Sequence, residues 1–172
     1  MPGSTDARPV LVTYASTHGA TAEIAEAIRD GLIAHEVDAV SLPVGEAGDP
    51  ADYRAVVLGS AVYAGRWDPL AIRFLRGNRE VLAERDVWLF QSGPLNDSAD
   101  HAPVQLPRRI ASLAERIGAH PHETFGGKLD EDSRGFIARN MIANGLAGDF
   151  RNFERVRAFA CEVAAVLSSS VS

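Results

Sequence analysis

The chain has a single cysteine, Cys161, in 172 residues, which excludes an intrachain disulfide and suits a reducing compartment. Its position on an apolar helical pattern predicts a buried structural thiol. No apolar run approaches the roughly 20 residues needed to cross a bilayer. The opening Met-Pro-Gly-Ser-Thr-Asp-Ala-Arg has no apolar signal region, so the expectation is a soluble, cytoplasmic protein. A basic excess is also missing. The formal net charge is −6, which argues against a nucleic-acid partner. There is no internal repeat, low-complexity tract or linker. His120 and His122 could be read as a metal pair, but they lack a third ligand, and no nucleophile–base pair stands out.

Hydrophobic residues make up 46% of the chain, enough for one domain over 1–172 with a sizeable core. Residues 1–8 are expected to form a flexible N-terminus. Strand and helix signals alternate along the rest. Apolar, β-branched runs predict strands at 10–14, 38–42, 55–60 and 86–91, with a weaker fifth at 120–125. Helical spacing predicts helices over 21–34, from 68–69 onward, over 103–117 and over 152–167. Asp68 followed by Pro69 is an N-cap with proline in the first turn. This alternation predicts an α/β fold with a parallel sheet covered by helices on both faces. Residues 126–150 do not fit it, being too long for a plain connection. Within them, 133–144 has the pattern of a short helix.

In an open parallel sheet, ligands bind outside the carboxyl ends of the strands. Three loops rich in small residues leave those ends. The first runs through Ser16, Thr17, His18, Gly19, Ala20 and Thr21 straight into a helix, so backbone N–H groups and the positive end of the helix dipole converge on one point. That suits a phosphate, with hydroxyls donating hydrogen bonds where a lysine serves elsewhere. The second comprises Ser60, Ala61, Val62, Tyr63, Ala64, Gly65, Arg66 and Trp67, and the third Ser92, Gly93, Pro94, Leu95, Asn96 and Asp97. Tyr63 and Trp67 could stack on a flat ring or pack against the sheet. Together the loops describe a phosphate-bearing ligand with a flat ring. The first loop is neither a Gly-x-x-x-x-Gly-Lys P-loop nor a Gly-x-Gly-x-x-Gly fingerprint.

Tyr14, Ser16, Gly19, Thr21, Ala25 and Ile28 make this stretch resemble the FMN phosphate loop of the flavodoxin family. The resemblance covers most of the chain in element order and is sharp over 10–28. It implies a flavodoxin-like three-layer sandwich, with a five-stranded parallel sheet of order 2-1-3-4-5. It also implies FMN as cofactor, with residues 16–21 on the phosphate and 60–67 and 92–95 framing the isoalloxazine. Thr13 departs from the usual apolar residue. The third loop lacks the aromatic side chain that electron-carrying flavodoxins often place over the flavin. The extra segment 126–150 is more similar to that of bacterial flavodoxin-like protoporphyrinogen oxidases.

The resemblance implies an FMN-dependent oxidoreductase or electron carrier that passes electrons to a partner protein or a small-molecule acceptor. An alternative is a quinone reductase or protoporphyrinogen oxidase-type enzyme, with 133–144 shaping a pocket for a quinone or porphyrinogen. A flavin-free signalling domain of the same fold would need clustered carboxylates after the first strand and an aspartate ending the third. This chain has Ala15-Ser16-Thr17 and Gly59-Ser60 at those points. A glycine at Gly65 would permit a backbone flip near the flavin N5 edge. Asp97 and Asp100 are candidates to lower the flavin potential, and Arg66 to attract an anionic substrate or partner.

Overall fold

The computed structural model describes residues 6–93, 96–129, 139, 142–143, 145 and 148–170. Its strands are β1 (Val10–Ala15), β2 (Ala39–Pro43), β3 (Ala55–Tyr63), β4 (Arg66–Trp67), β5 (Asp86–Ser92), β6 (Glu123–Phe125), β7 (Lys128–Leu129) and β8 (Gly148–Asp149). The main sheet runs β2-β1-β3-β5-β6, all neighbours parallel, and β4 folds back antiparallel on β3. The five parallel strands taken in chain order therefore stand 2-1-3-4-5, as expected. The register sets Ala15 opposite Ser60, Ala61 opposite Ser92 and Ser92 opposite Phe125. All three predicted loops thus leave one edge of the sheet.

The strands are apolar on both sides because both sides are covered. Val10, Val12, Val57, Trp88, Phe90 and Phe125 face α1 (Ala20–Ala34) and the last helix, here α6 (Phe153–Ser169). The alternate residues Leu11, Val56, Leu58, Val87 and Leu89 face α2 (Pro69–Gly77), α3 (Arg79–Leu82) and α5 (Arg108–Ile117). On the first face, α1 and α6 pack closely at Gly31, where an added Cβ would stand 2.7 Å from the Ala160 Cβ.

Several expectations change. The helix expected over 103–117 starts at Arg108, because Pro103 and Pro107 hold the preceding stretch extended; Pro107 has ψ 141°. A four-residue helix, α4 (Ser98–His101), precedes it. Cys161 is exposed, not buried. The buried stripe of α6 is Val156, Phe159, Ala160, Val163, Ala164 and Leu167, and one residue past Ala160 turns about 100° away from it.

Most of the helix expected over 133–144 lies outside the described residues; Arg139, Ile142 and Ala143 within it are helical. The two ends of the extra segment are clamped together. Lys128 pairs with Asp149 and Leu129 with Gly148 across β7 and β8, and the Phe150 N–H donates to the Gly127 carbonyl at 2.9 Å.

Gly59, in the middle of β3, lies under the Phe90 ring, and a Cβ there would come within 2.0 Å of its Cζ. Gly59→Ala must displace that ring within a packed core. We expect it to lower unfolding free energy by about 1–3 kcal/mol or more, read as a reduced urea midpoint.

Candidate functional site

The first loop is shaped by its own side chains. Gly19 takes φ +85°, a left-handed conformation that glycine adopts without steric cost, and its N–H donates to Ser16 Oγ at 3.0 Å. Gly19 is the N-cap of α1, and no side chain caps that helix among the described residues. The Glu23 N–H donates to the Gly19 carbonyl at 3.1 Å, while the N–H groups of Ala20, Thr21 and Ala22 before it have no acceptor among the described residues. Within that turn Thr21 is fully buried, and its Oγ1 has no hydrogen-bond partner among the described residues. A buried orphan hydroxyl is costly unless a ligand or water completes it. Thr13 Oγ1 and Ser41 Oγ share that status, but they lie on β1 and β2 away from the cleft.

Thr21 opens into a cleft of about 300 Å³ lined by Ser16, His18 and Ala20 from the first loop, Ala61, Val62, Tyr63 and Ala64 from the second, and Ser92 and Gly93 from the third. The His18 and Tyr63 rings meet edge to face across it, with centroids 6.0 Å apart and planes at 87°. Burial raises the Tyr63 phenol above its ordinary pKa, keeping it neutral. Gly93 has φ +128°, and a Cβ there would press to 3.3 Å on the Val62 carbonyl. The close spacing of the second and third loops thus depends on that glycine.

The second loop is a two-residue hairpin turn. Tyr63 pairs with Arg66, and Ala64 and Gly65 between them both take positive φ, 51° and 70°. This is the backbone signature of a type I′ turn. Ala64 is a non-glycine held left-handed at the cleft wall, a strain of about 1–2 kcal/mol.

Trp67 does not face the cleft. It is only 3% exposed, packs in the core under α2, and donates from Nε1 to Gln91 Oε1 at 3.0 Å. Gln91 in turn donates to Thr124 Oγ1 at 2.9 Å and the Gln105 carbonyl at 3.1 Å. Of its two alternatives, stacking or packing, Trp67 adopts packing. Ser60 is also buried below the loop. Its Oγ accepts from the Asp68 N–H at 2.9 Å and donates to the Ala61 carbonyl at 2.9 Å, tying the hairpin to the start of α2. Gly65 faces a different groove on the far side of the turn, and Thr17 is not among the residues lining the cleft. Pro94 and Leu95 lie outside the described residues.

Asp97 and Asp100 do not line the cleft. Asp97 pairs with His101 at 3.2 Å and Asp100 with Arg155 at 3.0 Å. His120 bonds Asp86 at 2.8 Å and His122 the Val104 carbonyl at 2.8 Å, and no group of metal-ligating side chains occurs among the described residues.

Two lining residues carried no motif, Gly127 and Lys128, and Asn96 joins from the third loop. Lys128 is the only lysine in the chain, a cation among the residues lining the cleft. The only sequence signal for it was position, just beyond the fifth strand.

A further network steadies the first turn of α1. The side chain of Arg151, 6% exposed, binds Asp149 at 2.8 Å, pairs with Glu23 and lies 5.0 Å over the Phe153 ring. It thereby links the base of the extra segment to the helix that follows the first loop. Hydrogen bonds from Arg151 hold the Asp149 carboxyl below its ordinary value.

Fold and cleft together define a class of protein: a three-layer α/β sandwich with a cleft at the carboxyl edge of its sheet. The Flavodoxin domain family matches residues 11–146, and the chain belongs to that family. Among solved structures it is similar to a flavodoxin from the domain Archaea, at 16% identity and TM-score 0.62, covering 93% of this chain and 99% of that one. Oxidised Flavodoxin 2 from Bacillus cereus gives 23% identity and TM-score 0.59 over 92% and 99%. Rubredoxin oxygen:oxidoreductase from Desulfovibrio gigas gives 12% and 0.64, over 96% of this chain and 37% of that one. At such identities the likeness shows the fold. No curated protein matches the chain.

Two predictions follow from the site's supports. Trp67→Phe keeps the aromatic bulk but leaves Gln91 Oε1 without its donor, so it should cost about 1–3 kcal/mol in urea unfolding. Asp149→Asn should lower stability at neutral pH. A carboxyl depressed in the folded state contributes above its ordinary value of 3.8, and that contribution is lost as pH falls through the lower folded value. The gap between wild-type and variant unfolding midpoints should hold constant from about pH 5 to 7 and close below about pH 4.

Proposed function

We propose that this chain binds FMN in the cleft and serves as a redox protein that passes electrons to a partner protein or small-molecule acceptor. One observation carries the reading. The buried Thr21 hydroxyl has no partner among the described residues, stands in the first turn of α1, and opens into a cleft shared by three loops. A phosphate there would accept from Thr21 Oγ1, Ser16 Oγ and the first-turn N–H groups, and would lie at the positive end of the α1 dipole. Lys128 adds a cation at the cleft wall.

His18, Tyr63 and Ala64 line the cleft and would border the ring, with Gly93 leaving room beside Val62. When bound, FMN supplies the electron and hydride chemistry, and the protein sets its position and surroundings. The chain's own contribution near the ring is the strained Ala64-Gly65 turn, whose central peptide can rotate between two hydrogen-bonding orientations because Gly65 tolerates either. Membership of the flavodoxin-domain family supports the same cofactor class.

The test is a titration with FMN, read by flavin fluorescence and the visible spectrum. Binding with quenched or shifted flavin signals is the expected outcome; a protein that leaves both unchanged does not have this function. Thr21→Ala refines it. The lost bond to a charged group should weaken FMN by about 1.5–3 kcal/mol, while riboflavin, which has no phosphate, loses little. Equal loss for both ligands would remove Thr21 from the phosphate site.

A further inference from the structure

A second groove, about 910 Å³, lies on the other side of the hairpin turn, between α2 and the start of α5. Its walls carry five arginines: Arg66 from the turn, Arg73 and Arg76 on α2, Arg79 on α3 and Arg109 on α5. No acidic residue lines it. None of the five makes an ion pair among the described residues, and all are exposed; Arg79 only donates to the Arg76 carbonyl at 3.3 Å. The floor is apolar, with Trp67, Pro69, Ile72, Pro107 and Ile110.

This concentration stands out in a chain of net charge −6. It also runs against local helix stability. The first turn of α5 has no acidic residue and instead places Arg108 and Arg109 beside its positive dipole end. Clustered guanidinium groups on both walls repel one another until an anion bridges them. Arginine, with its planar fork, is suited to bind carboxylates two-pronged.

The groove and the cleft lie on opposite sides of one hairpin turn, which lends residues to both. Tyr63 and Ala64 line the cleft, while Gly65 and Arg66 line the groove. We propose that this groove docks an acidic, partly apolar segment of the electron-transfer partner, an inference that rests on the redox reading above. Five cations on two walls call for several carboxylates spread along a chain rather than one small anion. The apolar floor takes interleaved aliphatic side chains. Nucleic acid fits less well, because the one aromatic residue in the groove, Trp67, is 3% exposed and presents no face for base stacking.

The test is fluorescence anisotropy with a labelled peptide of about twelve residues alternating Glu and Leu, titrated with the full chain. Expected is saturable binding that weakens about tenfold or more between roughly 0.05 and 0.3 M salt. It should be lost in Arg73→Glu/Arg76→Glu, reduced in Arg109→Gln, and kept in Arg157→Glu, a charge reversal on α6 away from the groove. Thermal melts of each variant confirm folding. Absence of peptide binding, or equal binding by the Arg73/Arg76 variant, overturns the proposal. Tighter binding of a thymidine oligonucleotide of matched length would also overturn it, giving the groove to nucleic acid. The assay needs no flavin. A chain that binds FMN but not the peptide loses the groove alone, and one that binds the peptide but not FMN loses the redox role of the partner.

Discussion

A parallel sheet delivers the carboxyl end of every strand to the same edge, and this constraint arranges everything else in the molecule. β1 ends opposite Ser60 and β5 opposite Ala61, one residue apart along β3, which runs on to Tyr63, so the loops after Ala15, after Tyr63 and after Ser92 have to share a small space. Sharing it demands small residues and particular backbone conformations. Gly19, Gly65 and Gly93 all take positive φ there. The sheet interior meets a related demand, since Gly59 leaves the room that the Phe90 ring fills. The cleft is thus a product of strand register as much as of the loops themselves.

Polar groups around that edge divide into two kinds. One kind is closed within the protein. Gln91 spends its amide on Trp67, Thr124 and the Gln105 carbonyl, and Ser60 joins the hairpin to α2. These bonds hold the second loop rigid from beneath. The other kind is open. Thr21 Oγ1, beside the cleft, and the N–H groups of Ala20, Thr21 and Ala22 at the start of α1 find no partner among the described residues. A scaffold of satisfied bonds supporting a small set of unsatisfied ones is the arrangement a pre-organised binding site requires.

Much of this was legible in the sequence. Alternation of strand and helix signals gave the layer order, and the small residues of Ser16 to Thr21 marked a loop that lines the cleft, because both are local patterns. What the sequence concealed was non-local. Trp67 reads as a loop aromatic until Gln91, 24 residues on, is seen to accept from its indole. Gly127 and Lys128 join the cleft because β6, which precedes them, pairs with β5. The arginines of the second groove are scattered over α2, α3 and α5 and converge only in three dimensions. Cys161 was misplaced for a simpler reason: an apolar helix has an outer face too, and one residue's rotation decides between them.

The close crossing of α1 and α6 at Gly31 and Ala160 has a consequence for the order in which the molecule is made. The helix that follows the first loop is translated well before the helix that packs against it. Ile24, Ile28 and Leu32 share their core cluster with Val156, Phe159, Ala160 and Val163 of α6, so those partners are missing until Phe153 onward emerges. In that interval the nascent chain carries its first loop without the packing that orients the helix behind it. The loop takes its final orientation only once the fold closes on itself.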